Sequence, residues 1–131
     1  MNKNGRKKRW ALAAAAIVGG ASLLPVLSFA QDAPLSHVAD PGVYKVLAEN
    51  EQFRVVLATW KPGQRDIYHS HPAKAVYRLT DCDVRAYGPD NRVIGSSQPK
   101  AGSVNLQAPI PSHALENVGT ATCQMVIVER K

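Results

Sequence analysis

The sequence predicts one small all-β domain, a sandwich or barrel of short strands, preceded by a cleavable leader. Three observations point to it. Nine prolines and nine glycines cut the chain into short stretches that leave little room for helices. The stretches between them are rich in the β-branched and aromatic residues that fit a pleated surface. Turn signals then recur at the spacing of a sandwich or barrel.

Taken in order, the first strand candidate is Phe53 to Trp60, bounded by Lys61-Pro62-Gly63. Ala75 to Leu79 follows, then Asp81 and a strand from Val84 to Tyr87 that closes at Gly88-Pro89-Asp90-Asn91. Val93-Ile94 and Val104 to Leu106 are weaker signals, and Gln124 to Val128 forms the last strand. Residues 31–42, with Pro34 and Pro41, read as a loose lead-in able to carry an edge strand, and 43–131 as the folded domain. Trp60 and Phe53 are expected in the core. Gly63 and Gly102 are expected at turns that need positive φ.

The first 30 residues differ from the rest. Lys3, Arg6, Lys7, Lys8 and Arg9 precede an apolar run from Trp10 to Phe29, which ends in Ser28-Phe29-Ala30. A basic start, an apolar middle and a small-x-small finish make a secretory signal peptide, with cleavage expected after Ala30. A retained membrane anchor is the competing reading, since about 20 apolar residues can span a bilayer. Gly19, Gly20 and Pro25 inside the run argue against it. The expected location is periplasmic or secreted.

Removing the leader changes the electrostatics. Five of the 16 Lys and Arg residues leave with it, so 11 face 10 Asp and Glu, a net of +1. The basic balance belongs to the export signal, and no nucleic-acid partner or membrane association of the mature chain is expected. Two cysteines remain, Cys82 and Cys123. In an oxidising compartment they can pair, and as buried thiols they need not.

The chemistry rests on histidine. His69-Ser70-His71 places two imidazoles on one face if the segment is a strand. Imidazole is a common ligand for first-row divalent metals, and His113 can complete a set of three. Two exposed histidines, or one satisfied in the core, account for the short motif alone. His37 matches no motif and is expected at the surface or capping a turn. Asn117 is expected to bond backbone in a turn, and Glu116 to be exposed.

Context sharpens the reading. Gly63 lies six residues before His69, and Val76-Tyr77-Arg78-Leu79-Thr80-Asp81 follows His71. Gly102 precedes Ala108-Pro109-Ile110-Pro111-Ser112-His113, and Asn117 closes the segment. This pair of motifs, in this order, resembles the two motifs of the cupin superfamily over roughly residues 43 to 130. The resemblance implies a cupin jelly-roll β-barrel with His69, His71 and His113 converging on a metal inside. The second motif implies a proline-rich bend just before His113.

The departures are specific. The family's first motif supplies a glutamate as a fourth ligand, and this chain has none between Glu51 and Glu116. Three neutral imidazoles leave a divalent ion its full charge and open positions, as at catalytic zinc. The set also resembles the all-histidine iron centres of cupin dioxygenases. The expected cofactor is a divalent metal (Fe, Zn, Mn, Ni or Cu), and the retained charge favours a small anionic substrate. Gln64, Asp66 and Tyr68 are candidates to orient the ligands. Three functions follow: a metal-dependent enzyme, a non-catalytic exported protein holding a metal or small ligand, and a barrel with no metal. Pairing through edge strands makes a homodimer the expected assembly.

Overall fold

The computed structural model describes residues 32–131; the leader and its cleavage point lie outside them. A four-residue helix, α1 (Ser36–Ala39), is followed by nine strands: β1 (Tyr44–Glu49), β2 (Phe53–Trp60), β3 (His69–His71), β4 (Lys74–Arg78), β5 (Val84–Tyr87), β6 (Val93–Ser97), β7 (Val104–Gln107), β8 (Ile110–Asn117) and β9 (Cys123–Arg130). They form a five-stranded sheet ordered β1-β2-β9-β4-β7 and a four-stranded sheet ordered β3-β8-β5-β6. Every pairing between named strands is antiparallel.

Strand parity builds the interior. On β2, Arg54, Val56, Ala58 and Trp60 are buried, and on β9 Cys123, Met125, Ile127 and Glu129 are. Lys74 and Val76 are the buried residues of β4, with Arg78 following at the same parity. Tyr44, Val56, Trp60, Val76, Met125 and Ile127 belong to one apolar cluster. Burial of side chains of this size supplies about 1.5–3 kcal/mol each. At one end the apolar rows give way to charge. Glu49 is the register partner of Arg54, Arg54 of Glu129, and Glu129 of Lys74. Opposite charges on neighbouring strands favour this register.

Several expectations are corrected. β1 was not foreseen: only Tyr44 is buried on it, so no alternation marks it, and a register shift falls between Val46 and Ala48. The lead-in carries α1, and its strand-like contact is a single bridge from Leu35 to Ser70. Phe53 is 47% exposed. It lies seven residues from inward-facing Trp60, and an odd separation on a strand puts the two on opposite faces. The bend expected before His113 is strand from Ile110 onward, and Pro111 falls at a register irregularity between the His69–His113 and His71–Ile110 pairs. Such an irregularity tolerates a residue with no N–H to donate.

Gly63 (φ 71°) and Gly102 (φ 78°) do take the left-handed conformation. The Gly63 N–H bonds to the Asn117 carbonyl at 2.8 Å, and the Asn117 N–H to the Gln64 carbonyl at 2.9 Å, so this turn is tied to the end of β8. The Asn117 amide donates to the Trp60 and Ala121 carbonyls. Cys82 and Cys123 form a disulfide. It joins the loop after β4 to the first residue of β9.

Candidate metal centre

β3 and β8 lie side by side with His69 opposite His113. His69, His71 and His113 are all buried. Each offers a ring nitrogen, and the three nitrogens lie within 4.8 Å of one another. The structure therefore brings together the three residues that sequence reasoning selected.

Their hydrogen bonds assign the protons. His69 Nδ1 lies 2.7 Å from the Ile67 carbonyl, which can only accept, so Nδ1 carries the hydrogen. His71 Nδ1 lies 2.6 Å from Glu129 Oε1 and donates to that carboxylate. Both Nε2 atoms are then left with bare lone pairs, and they face each other at 3.0 Å. Two acceptors at that distance repel unless a cation lies between them. Two nitrogens that each bound one ion at about 2.1 Å would stand roughly 3–3.5 Å apart. His113 Nε2 is also buried, with no hydrogen-bond partner. These donors fit a divalent metal ion.

Burial keeps the trio neutral. It lowers the pKa of His69 to about 4 against the bond that His69 donates to the Ile67 carbonyl, with Lys74 contributing. His71 is lowered to about 2 by burial, then by Lys74 and His69. His113 is lowered to about 2 by burial, then by His69, Lys74 and His71. Neutral imidazole is the form that binds metal.

Two carboxylates stand behind the rings. Glu129 is buried on β9, and its Oε2 lies 3.5 Å from the Arg54 guanidinium. Asp66 Oδ2 accepts from the Tyr44 hydroxyl at 2.7 Å and from Trp60 Nε1 at 3.0 Å. Asp66 Oδ1 accepts from the Leu115 N–H at 2.7 Å. Burial raises the Asp66 pKa to about 6, against these three bonds. The Tyr44 hydroxyl is 3.1 Å from His69 Nε2, so it stands beside the three nitrogens.

Of the proposed orienting residues, Asp66 lies at the centre. Gln64 instead accepts from the Lys61 N–H, and the Tyr68 hydroxyl bonds Arg65 and Asn91 away from the histidines. His37 lies in α1 outside the trio; it is half-buried rather than on the surface, with its Nδ1 buried. Burial and then Arg54 lower its pKa. Glu116 is half-buried and accepts from the Tyr87 hydroxyl, which corrects its expected exposure. Glu129 and Tyr44 were missed. A signal for Glu129 existed: it continues the inward row Cys123, Met125, Ile127 by one more step of two.

A cavity of about 430 Å³ adjoins the trio. His71 and His113 line it, and its walls include Val76, Leu115, Met125 and Ile127.

Solved structures share this architecture. A cupin domain protein from Bordetella pertussis aligns with TM-score 0.61 and 21% identity, over 68% of this chain and 92% of that one. A protein with a double-stranded β-helix domain from Klebsiella pneumoniae aligns at 0.53 and 22%, over 67% and 75%. The fold is the cupin fold. An RmlC-like cupin with a double-stranded β-helix from Methanocaldococcus jannaschii aligns at 0.54 and 11%, over 67% and 78%. No protein-family model matches the sequence, and no curated protein matches it. In this cupin barrel, buried Val76 faces the cavity on the strand after the His-x-His segment, and the carboxylate nearest the trio comes from β9.

Proposed function

We propose that this cupin binds one divalent metal ion through His69, His71 and His113 and uses it on a small anionic substrate held in the adjoining cavity. One observation carries the reading: two buried imidazole Nε2 atoms stand 3.0 Å apart while both Nδ1 atoms are engaged by the Ile67 carbonyl and Glu129. When bound, the ion supplies Lewis acidity. The chain's own residues do the rest. Ile67 and Glu129 hold the Nδ1 protons and aim the Nε2 atoms. Tyr44, anchored on Asp66, presents a hydroxyl at the edge of the trio. The apolar side chains of the wall, Val76, Leu115, Met125 and Ile127, lower the local dielectric and strengthen the charge interactions beside them.

Export through the N-terminal leader belongs to the same reading. The Cys82–Cys123 disulfide supports an oxidising compartment.

The test is metal content. The chain from Gln31 is purified and analysed for Fe, Zn, Mn, Ni and Cu, beside a variant carrying His69→Ala and His113→Ala. About one ion per wild-type chain, lost in the variant, is the expected result; negligible metal in both overturns the proposal. Stoichiometric metal without turnover of any small acid, in assays of oxygen uptake and hydrolysis, leaves a metal-binding protein and removes the enzyme.

A further inference from the structure

β4 contributes more to the cavity than an apolar wall. Lys74, Val76 and Arg78 line it while Ala75 and Tyr77 do not, as strand parity requires. Two basic side chains thus face one cavity from the same strand, Arg78 and a Lys74 whose pKa burial lowers to about 7. Among the described residues neither makes an ion pair. No aspartate or glutamate among the described residues lines the cavity. Glu129, the register partner of Lys74, is already engaged by His71 and Arg54.

Arg78 is built for a partner. Its Nη1 donates to Asn105 Oδ1 at 2.9 Å and makes a longer contact to the Val76 carbonyl, which fixes the guanidinium. Its Nε is buried with no hydrogen-bond partner. A guanidinium held at one end by an amide oxygen, with no carboxylate beside it, is matched best by a planar two-oxygen anion. Ser96 and Ser97 of β6 and Gln107 of β7 add polar groups to the lining. Lys74 and Arg78, four residues apart on one strand, have Cα atoms about 13 Å apart. Lys74 lies at the histidine end, where its charge is felt by all three rings.

The geometry points to a small organic acid as the ligand, its carboxylate paired with Arg78 and its short apolar body running along Val76 and Met125 toward Lys74 and the histidines. The assignment deepens the proposed function and rests on it for the chemistry that follows, but the anion site itself needs no metal.

The test separates the two. Butyrate and its neutral amide, butyramide, are titrated by calorimetry into chelator-treated protein from Gln31, wild type and Arg78→Gln, with Arg92→Gln as a surface control. Butyrate is expected to bind wild type and Arg92→Gln, to lose at least tenfold in affinity with Arg78→Gln, and to outcompete butyramide by a similar factor. Equal binding of amide and acid, or unchanged affinity in a folded Arg78→Gln, overturns the inference. Circular dichroism checks that Arg78→Gln folds; if it does not, the acid-to-amide ratio on wild type decides, a tenfold preference for butyrate sustaining the inference and equal binding overturning it. Stoichiometric metal with no butyrate binding sinks this inference and spares the metal centre. Butyrate binding that depends on Arg78 in a chain that takes up no metal does the reverse.

Discussion

Glu129 Oε1 and His71 Nδ1 lie 2.6 Å apart, a buried carboxylate from the last strand holding a ring on the third. The contact fixes both the tautomer and the angle of His71, and so the direction of its free Nε2. Carboxylates in this position raise the basicity of a ligating imidazole, and their removal typically weakens metal binding about 10–100-fold. Glu129→Gln is therefore expected to weaken metal binding by about that range, through loss of charge with the shape kept. Competition with a chelator of known affinity measures it. Unchanged affinity would show that Glu129 serves only Arg54.

The metal-free protein is expected to lose stability on mild acidification. In the unfolded chain the histidines take up protons near the ordinary value of 6.5, whereas the folded His69 does so near 4 and His71 and His113 near 2. Folded values that are depressed give stability that is present above 6.5 and lost as the pH falls through the window toward 4. Each proton bound only by the unfolded state weakens folding by about 1.4 kcal/mol per pH unit. Asp66, raised to about 6, and Glu129, also raised, work in the opposite sense within the same window, because the folded state binds those protons first. Three histidines against two carboxylates leave a net loss. Urea denaturation in the presence of chelator should show a lower midpoint at pH 5.5 than at pH 7.5; an equal or higher midpoint contradicts the neutral trio.

What the sequence made legible follows from local rules. β2 and β5 match their expected ranges because alternation, turn residues and β-branched content agree there. His69 and His71 were findable because a strand period of two puts them on one face. His113 needed the likeness of a motif, since its pairing with His69 is a contact 44 positions away. Glu129 was lost because the last strand was ended at Val128, one residue short of the inward position. β1 was lost because a strand with one buried residue carries no period. The cysteine pairing was open until the fold set the two Cα atoms 5.0 Å apart.

The disulfide is expected to stabilise the domain without touching the metal. It closes a span of 41 residues, for which chain entropy alone gives about 4 kcal/mol. Cys82→Ser with Cys123→Ser, or reduction, should lower the denaturation midpoint accordingly while metal content stays at the wild-type level. Loss of metal in the folded double variant would mean that the bridge positions the trio as well.

Asp66 is the polar anchor between the core and the trio, and its removal is expected to be the most damaging single change outside the histidines. Its carboxylate accepts from Tyr44, Trp60 and Leu115, so Asp66→Ala strands three donors. Each buried donor left without a partner costs about 1–3 kcal/mol, which sums to a loss on the order of 3 kcal/mol or more. Asp66→Asn keeps the shape and one carbonyl acceptor, but its amide nitrogen cannot accept, so it should fall between Ala and wild type. Tyr44→Phe removes one donor along with its need, and should cost about 1 kcal/mol. Urea denaturation of the three variants gives the order. A milder effect for Asp66→Ala than for Tyr44→Phe would mean that Trp60 and Leu115 find other acceptors, and that the carboxylate does not hold β8 against the core.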